Sequence, residues 1–144
     1  MVSYKKWAEV IAEKINKKIG WSSEKNKNKI PYTTDIEGNY DDRSNMDKEW
    51  TPDNGLNWWT NGFWGGTMWL LYQETGEKKY QDIARISEYR MEKCLEEFYG
   101  IHHDVGFMYQ LTAVSDYRLT GNKRSRRTAM HAASLLAGRF NPAG

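Results

Sequence analysis

His102, His103 and Asp104 stand side by side in GIHHDVGFMYQLT, residues 100–112, directly before a run of aromatic and apolar residues. Imidazoles and carboxylates carry protons, ligate metals and make hydrogen bonds. Three readings are therefore open: a catalytic corner, a metal site, or the polar start of a buried helix. A metal is disfavoured because three adjacent positions point in different directions on any regular element, whereas ligands must converge on one ion. The capping reading is stronger, since Asp104 precedes an apolar run and a carboxylate there satisfies free amides of a helix's first turn.

A second candidate group is NWWTNGFW, residues 57–64. Clustered aromatic residues usually form core, but Trp58 and Trp59 are consecutive. On a loop entering a helix the two cannot face the same core, so one of them lines a cleft. The chain holds seven Trp and nine Tyr, side chains that join a large apolar face to a polar handle and suit either a core or a sugar-stacking surface.

Both groups need helices to position them. Val2, Trp7, Val10, Ile11, Ile15 and Ile19 fall on one face of a 3.6-residue helix, with Gly20 placed as its stop. Residues 21–57 lose the periodicity, are rich in Asn, Asp, Gly and Lys, and contain the breakers Pro31 and Pro52, so a long loop is expected. Helical patterning returns with Thr60 as N-cap and runs to Gly76 through Phe63, Met68, Leu71 and Tyr72. Gly62, Gly65 and Gly66 weaken that helix intrinsically and point to close backbone approach by another helix or a ligand. Residues 77–98 form the next helix, with Tyr80, Ile83, Ile86, Tyr89 or Arg90, and Cys94 on its inner side. After a break at 99–102, residues 104–120 and 122–140 form a further pair joined at Gly121.

The turns at Thr75–Gly76 and Thr120–Gly121 match, at an offset of 120 − 75 = 45 residues. A period of that size with two helices per unit marks a helical solenoid or a closed toroid of hairpins, so the fold class is all-α. A toroid needs more hairpins than the chain holds. Residues 1–144 are thus expected to be the amino-terminal portion of a single domain, with apolar surface exposed where the next hairpin would pack.

The bulk numbers exclude several classes. Basic and acidic residues nearly cancel, 21 against 19, which gives no polyanion signal and no case for nucleic acid. Cys94 is the single cysteine, so an internal disulfide and a Cys-rich zinc site are ruled out. The amino terminus alternates charged and apolar residues without a secretory core, and no window approaches the ~18 apolar residues of a membrane span. A cytoplasmic protein without a membrane partner is expected. The basic runs KNKNK and KRSRR read as solvated faces.

NWWTNGFWGGTMWLLYQETGEKKY, followed by HHDVGFMYQLTAVSDYRLTGNKRSRRTAMHAASLLAGRF, resembles the amino-terminal part of the unsaturated glucuronyl hydrolases, glycoside hydrolase family 88. The likeness covers residues 57–144 and, more weakly, the first helix. It implies an (α/α)6 toroid of six hairpins whose funnel binds a 4,5-unsaturated uronic acid at the non-reducing end of a lyase-generated, glycosaminoglycan-type oligosaccharide. In that family the C4=C5 bond is hydrated, and the resulting hemiketal rearranges and releases the next sugar, without metal or cofactor. Protonating a vinyl ether carbon takes a carboxylic acid, and adding water takes a base. The family has two aspartates. The first maps onto Asp104, and the second, the proton donor, is expected beyond Gly144. The same match makes Trp59 the aromatic that stacks near the unsaturated ring, and His103, with His102, a hydrogen-bonding neighbour of the aspartate. Asn61 stands at a substrate-contact position where the family pattern has Asp, a departure that removes a charge near the site. A rhamnogalacturonyl hydrolase fits the HHDVGF wording less well, and a non-catalytic helical-repeat binding module is the reading from another class.

Overall fold

The computed structural model describes residues 3–44, 55–98 and 100–143; Val2, Pro52 and Tyr99 lie outside them. Helix α1 runs Tyr4–Asn26, with the Ser3 hydroxyl accepting from the Lys5 amide at 3.3 Å. It continues past Gly20, which corrects the expected stop. The Ser23 hydroxyl donates to the Gly20 carbonyl at 2.8 Å and the Asn26 amide to the Ser22 carbonyl at 2.9 Å, with both side chains buried. Local bonds and burial of the last two turns outweigh the ~1 kcal/mol that a glycine costs a helix. Of the expected apolar face, Ile19 packs against the core, while Trp7, Val10, Ile11 and Ile15 are exposed.

The connection to the next helix therefore starts at Lys27, and its first part is ordered by carboxylates. Asp41 Oδ1 accepts from the Tyr32 and Thr33 amides at 2.8 and 3.0 Å, and Asp42 Oδ1 from the Ile30 and Ser44 amides at 3.0 Å each. The Arg43 guanidinium lies 3.7 Å over the Tyr32 ring. Among the described residues the β-structure is confined to one isolated bridge between Thr34 and Tyr40, so the class is all-α as expected.

Helices α2 (Asn61–Thr75) and α3 (Lys78–Glu96) form the first hairpin. The second hairpin joins α4 (Val105–Tyr109), a π-helical turn (Gln110–Val114) and α5 (Ser115–Thr120) to α6 (Lys123–Ala137). The two turns are chemically the same. Gly76 and Gly121 both adopt left-handed backbone, with their amides donating to Tyr72 and Tyr117 at 2.8 and 2.9 Å. The Thr75 and Thr120 hydroxyls reach back to the Leu71 and Asp116 carbonyls and accept from the Glu77 and Asn122 amides. Each threonine thus closes one helix and opens the next, which is why the sequence repeats there.

The π turn interrupts what reads as one helix over 104–120. The C-terminal glycines are offset by 121 − 76 = 45 residues, whereas the N-cap residues Thr60 and Asp104 are offset by 104 − 60 = 44. The first helix of the second hairpin, residues 105–120, thus holds one residue more than α2, and a π turn is how a helix houses one extra residue. These two helices, which start at one shared rim, are the inner helices of their hairpins.

One core gathers Met68, Trp69, Leu71, Tyr80, Ile83 and Ala84 between α2 and α3. The other joins Met91, Cys94 and Leu95 of α3 to Val105, Met108, Tyr109 and Ala132, with Ile30 and Leu56 of the connecting segment inserted. KRSRR is more than a solvated face. The Arg124 guanidinium bonds Glu92 at 2.6 and 3.0 Å and lies 3.9 Å over Tyr89, and buried Ser125 donates to Asp116 at 2.9 Å. Leu70, Phe107, Met130 and Phe140 leave apolar surface exposed. No described helix is long and apolar enough to cross a membrane.

Candidate active site

The starts of α2 and α4 meet at one rim. A Cβ on Gly62 would come within 2.6 Å of the Phe107 carbonyl oxygen and 2.7 Å of Met108 Cα, so only glycine lets the two backbones approach this closely. The glycines of α2 therefore serve another helix, one of the two roles open from the sequence.

Asp104 sits at the N-cap position of α4, but its side chain makes no capping bond. The main-chain carbonyl of Asp104 accepts from the Phe107 and Met108 amides at 2.9 and 3.4 Å, as in any helix start, and the absence of a side-chain bond to them corrects the capping reading and leaves the carboxylate free of the helix amides. Thr60, at the same place on α2, likewise makes no side-chain cap. Asp104 Oδ2 lies 3.5 Å from His102 Nδ1 and 3.4 Å from His103 Nε2. The ligating atoms of the trio all lie within 4.8 Å of one another. They converge, against the expectation that adjacent side chains diverge, because all three stand on the turn before α4 and not on a regular element.

As a metal set the trio is already part-occupied. His102 Nε2 lies 3.0 Å from the Asn57 carbonyl, and its Nδ1 accepts from the Asp104 amide at 3.1 Å. A cation would have to displace that second bond. The His103 side chain is 82% exposed and is open to a ligand from solvent.

The two tryptophans divide as consecutive residues must. Trp58 is half-buried, edge-on to Tyr32 at 6.0 Å, while Trp59 lies between Phe63 at 5.9 Å and Phe107 at 5.8 Å. Trp59 thereby joins the start of α2 to the start of α4. Beside it a cleft of about 360 Å³ is lined by His103, Gly106, Phe107, Gln110 and Leu111. Phe107 and Gln110 were not singled out from the sequence; their position one and two turns beyond Asp104 is the signal that would have found them.

Asn61 does not face this cleft. It is 2% exposed, and its amide nitrogen donates to the carbonyls of Gly55 and Leu56 at 3.0 and 2.9 Å. The side chain clamps the turn that carries Trp58 and Trp59.

Behind the rim a polar layer joins the hairpins. Asp116, fully buried, accepts two bonds from Arg85 at 2.9 Å each, and others from Thr120, Asn122 and Ser125 at 2.6, 2.8 and 2.9 Å. Burial alone would raise its carboxyl, but these hydrogen bonds, led by Arg85, hold it below the usual range. Glu88, equally buried, has no hydrogen-bond partner on either oxygen. Burial, reinforced by the nearby charges of Asp116 and Glu92, pushes its carboxyl up to about 7 against the opposing pull of Ser125 and Arg85. Glu88 is not among the inner-side residues expected from the sequence, of which Ile86, Tyr89 and Arg90 are only part-buried; the helical spacing of Ala84, Met91 and Leu95 is the signal that would have found it.

Successive hairpins that bring a carboxylate, imidazoles and aromatic faces to the starts of α2 and α4 define part of a helical toroid, with these side chains gathered at one rim. No family model matches the chain. Its relatives are unsaturated glucuronyl hydrolases: it is 35% identical over 83 residues to the unsaturated glucuronyl hydrolase of Bacillus sp. strain GL1, covering 57% of this chain. Over 87 residues, 60% of this chain, it is 32% identical to the unsaturated chondroitin disaccharide hydrolase of Streptococcus agalactiae. The chain spans 22% of the length of each of these relatives. A crystal structure of a mutant unsaturated glucuronyl hydrolase from Streptococcus agalactiae, complexed with dGlcA-GalNAc6S, superposes on 97% of this chain and 34% of its own, with a TM-score of 0.74 at 24% identity. That likeness shows the toroid fold.

Proposed function

We propose that residues 1–144 are part of an unsaturated glucuronyl hydrolase, which releases 4,5-unsaturated uronic acid from lyase-generated oligosaccharides of the glycosaminoglycan type. The observation that carries this reading is the Asp104 carboxylate, free of the helix amides and 3.4 Å from His103 Nε2, set at a rim beside Trp59 and the cleft lined by His103 and Phe107. The relatives' names and the disaccharide in the Streptococcus agalactiae complex support the substrate class.

In this reading Trp59 stacks on the unsaturated ring, and Asp104, with His103 beside it, orients the ring and the water that adds across C4=C5. Asn61 acts through the turn it clamps. A second carboxylate, supplied by the rest of the toroid, delivers the proton to the vinyl ether carbon. Protonation and hydration proceed with carboxylates and water, so no metal or cofactor is assigned. A reducing, cytoplasmic setting belongs to the same proposal. Cys94 is buried in the core with its thiol pushed up to about 12, chiefly by burial, so that it stays an inert core residue.

Turnover of a 4,5-unsaturated glucuronyl disaccharide, followed by loss of the double-bond ultraviolet absorbance, tests the assignment in the native gene product that contains residues 1–144. Asp104→Asn should remove activity by about three orders of magnitude, the scale of losing a catalytic acid–base group, with the helical circular dichroism retained. Unchanged turnover refutes the role of Asp104. Binding of the disaccharide without any turnover by the parent protein would favour the binding-module reading.

A further inference from the structure

We infer that His102 is the positioning residue of this rim: held as the Nε2–H tautomer, it ties the Asn57 carbonyl to the Asp104 amide and so fixes where the Asp104 carboxylate lies relative to Trp59. A carbonyl only accepts, so the 3.0 Å contact between Asn57 and Nε2 requires the ring hydrogen on that nitrogen. A neutral imidazole has one such hydrogen. Nδ1 is then bare, and it accepts from the Asp104 amide at 3.1 Å. The two contacts thus assign the tautomer without reference to any other group.

The turn at each end of this link is stiff. On one side, Trp58 donates to the Gly55 carbonyl at 3.2 Å, Asn61 donates its main-chain amide to Trp58 at 3.0 Å, and the Asn61 side chain clamps Gly55 and Leu56. On the other, Val105 and Phe107 donate to the carbonyls of His102 and Asp104 at 3.4 and 2.9 Å. The half-buried His102 ring spans the 45 residues between the two turns. With Nδ1 bare, no hydrogen lies between it and Asp104 Oδ2 at 3.5 Å. His102 therefore orients Asp104 through the main chain and makes no hydrogen bond of its own to the carboxylate, which has His103 Nε2 at 3.4 Å. The role as a guide for a reacting carboxylate rests on the proposed function; the tautomer and the link do not.

The test is a long-range ¹⁵N–¹H spectrum of the imidazoles in the native gene product that contains residues 1–144, with disaccharide titrations of this parent and of its His102→Gln and His102→Asn variants. The parent should show a protonated Nε2 and a bare, hydrogen-bonded Nδ1 at His102; a protonated Nδ1, or a ring averaging between tautomers, overturns the inference. Glutamine can still donate toward Asn57 but removes the acceptor for the Asp104 amide, whereas asparagine keeps an acceptor two residues before that amide and loses the reach to Asn57. Each variant should weaken disaccharide binding about tenfold, the scale of one lost hydrogen bond. His102→Gln alone should shift the Asp104 amide resonance out of its hydrogen-bonded position. Undiminished binding with an unmoved Asp104 amide in His102→Gln refutes the link. Should the native gene product not bind the disaccharide, the proposed function fails while the tautomer spectrum still decides the role of His102, and that spectrum needs no variant to fold.

Discussion

Replacing Glu88 by glutamine isolates the effect of one buried acid on stability. Glu88 is fully enclosed, neither oxygen is hydrogen-bonded, and its carboxyl is pushed from 4.5 up to about 7, first by burial and then by the charges of Asp116 and Glu92. A difference of that size between folded and unfolded chain corresponds to about 3 kcal/mol. Because the folded value is the higher, the stabilisation is fully present below pH 4.5 and is lost as the pH rises through about 7. Asp116, whose carboxyl is held below 3.8, makes its own pH-dependent change at more acidic values. The parent should therefore lose most of ~3 kcal/mol between pH 5 and pH 8.5, or about 10 °C in melting temperature at this size. Glutamine does not titrate, and its unpartnered amide costs about 1–3 kcal/mol at every pH. The variant should be less stable than the parent at pH 5, and equal to it or more stable at pH 8.5. Urea unfolding at the two pH values measures both chains. A parent equally stable at both, or a variant that keeps the parent's slope, would show that Glu88 is not a buried neutral acid.

Asn61→Asp places a carboxylate against the carbonyls of Gly55 and Leu56, and should cost about 3 kcal/mol at neutral pH, with part of the loss recovered in acid; unaltered urea stability would remove the clamp. Gly62→Ala drives a methyl to 2.6 Å from the Phe107 carbonyl oxygen and should cost about 1–3 kcal/mol, a loss that thermal unfolding detects and whose absence would mean that the rim is looser than described. Arg85→Ala strips the main partner from fully buried Asp116 and should destabilise by about 3 kcal/mol, toward the low end for a broken buried pair because Arg85 is partly exposed; a loss under ~1 kcal/mol would show that Thr120, Asn122 and Ser125 suffice.

What the sequence makes legible is the chemistry that acts locally. Thr75–Gly76 and Thr120–Gly121 announce themselves because a left-handed glycine and a threonine that bonds both ways are local requirements, and the bounds of α2 and α3 follow from them. Gly20 misleads because its helix is held by Ser23, Asn26 and the packing of Ile19, which no local pattern reveals. The π turn is invisible to apolar periodicity, since one extra residue within 16 leaves the spacing nearly helical. At the rim, residue types and motif single out Asp104, His103 and Trp59, but they do not reveal that Asn61 is buried. Its burial depends on the main-chain carbonyls of Gly55 and Leu56 facing inward, a fact of chain path and not of residue type. The convergence of the His-His-Asp trio eluded periodic reasoning for the same reason: a turn has no period.

The extra residue in the second inner helix separates the two ends of a hairpin into parts that change independently. Counted with an offset of 44, Trp58, Trp59 and Thr60 stand where His102, His103 and Asp104 stand in the next unit; counted with an offset of 45, the Thr-Gly turns coincide. Inserted into a rigid α-helix, one residue would rotate everything upstream by about 100° and swing the aspartate off the rim. The π turn absorbs that rotation midway, so the turn end keeps its hydrogen bonds while the triplet before each inner helix exchanges aromatic faces for acid and imidazoles. New chemistry in such a ring is therefore most readily written into those triplets, one unit at a time, with the Thr-Gly turns left untouched.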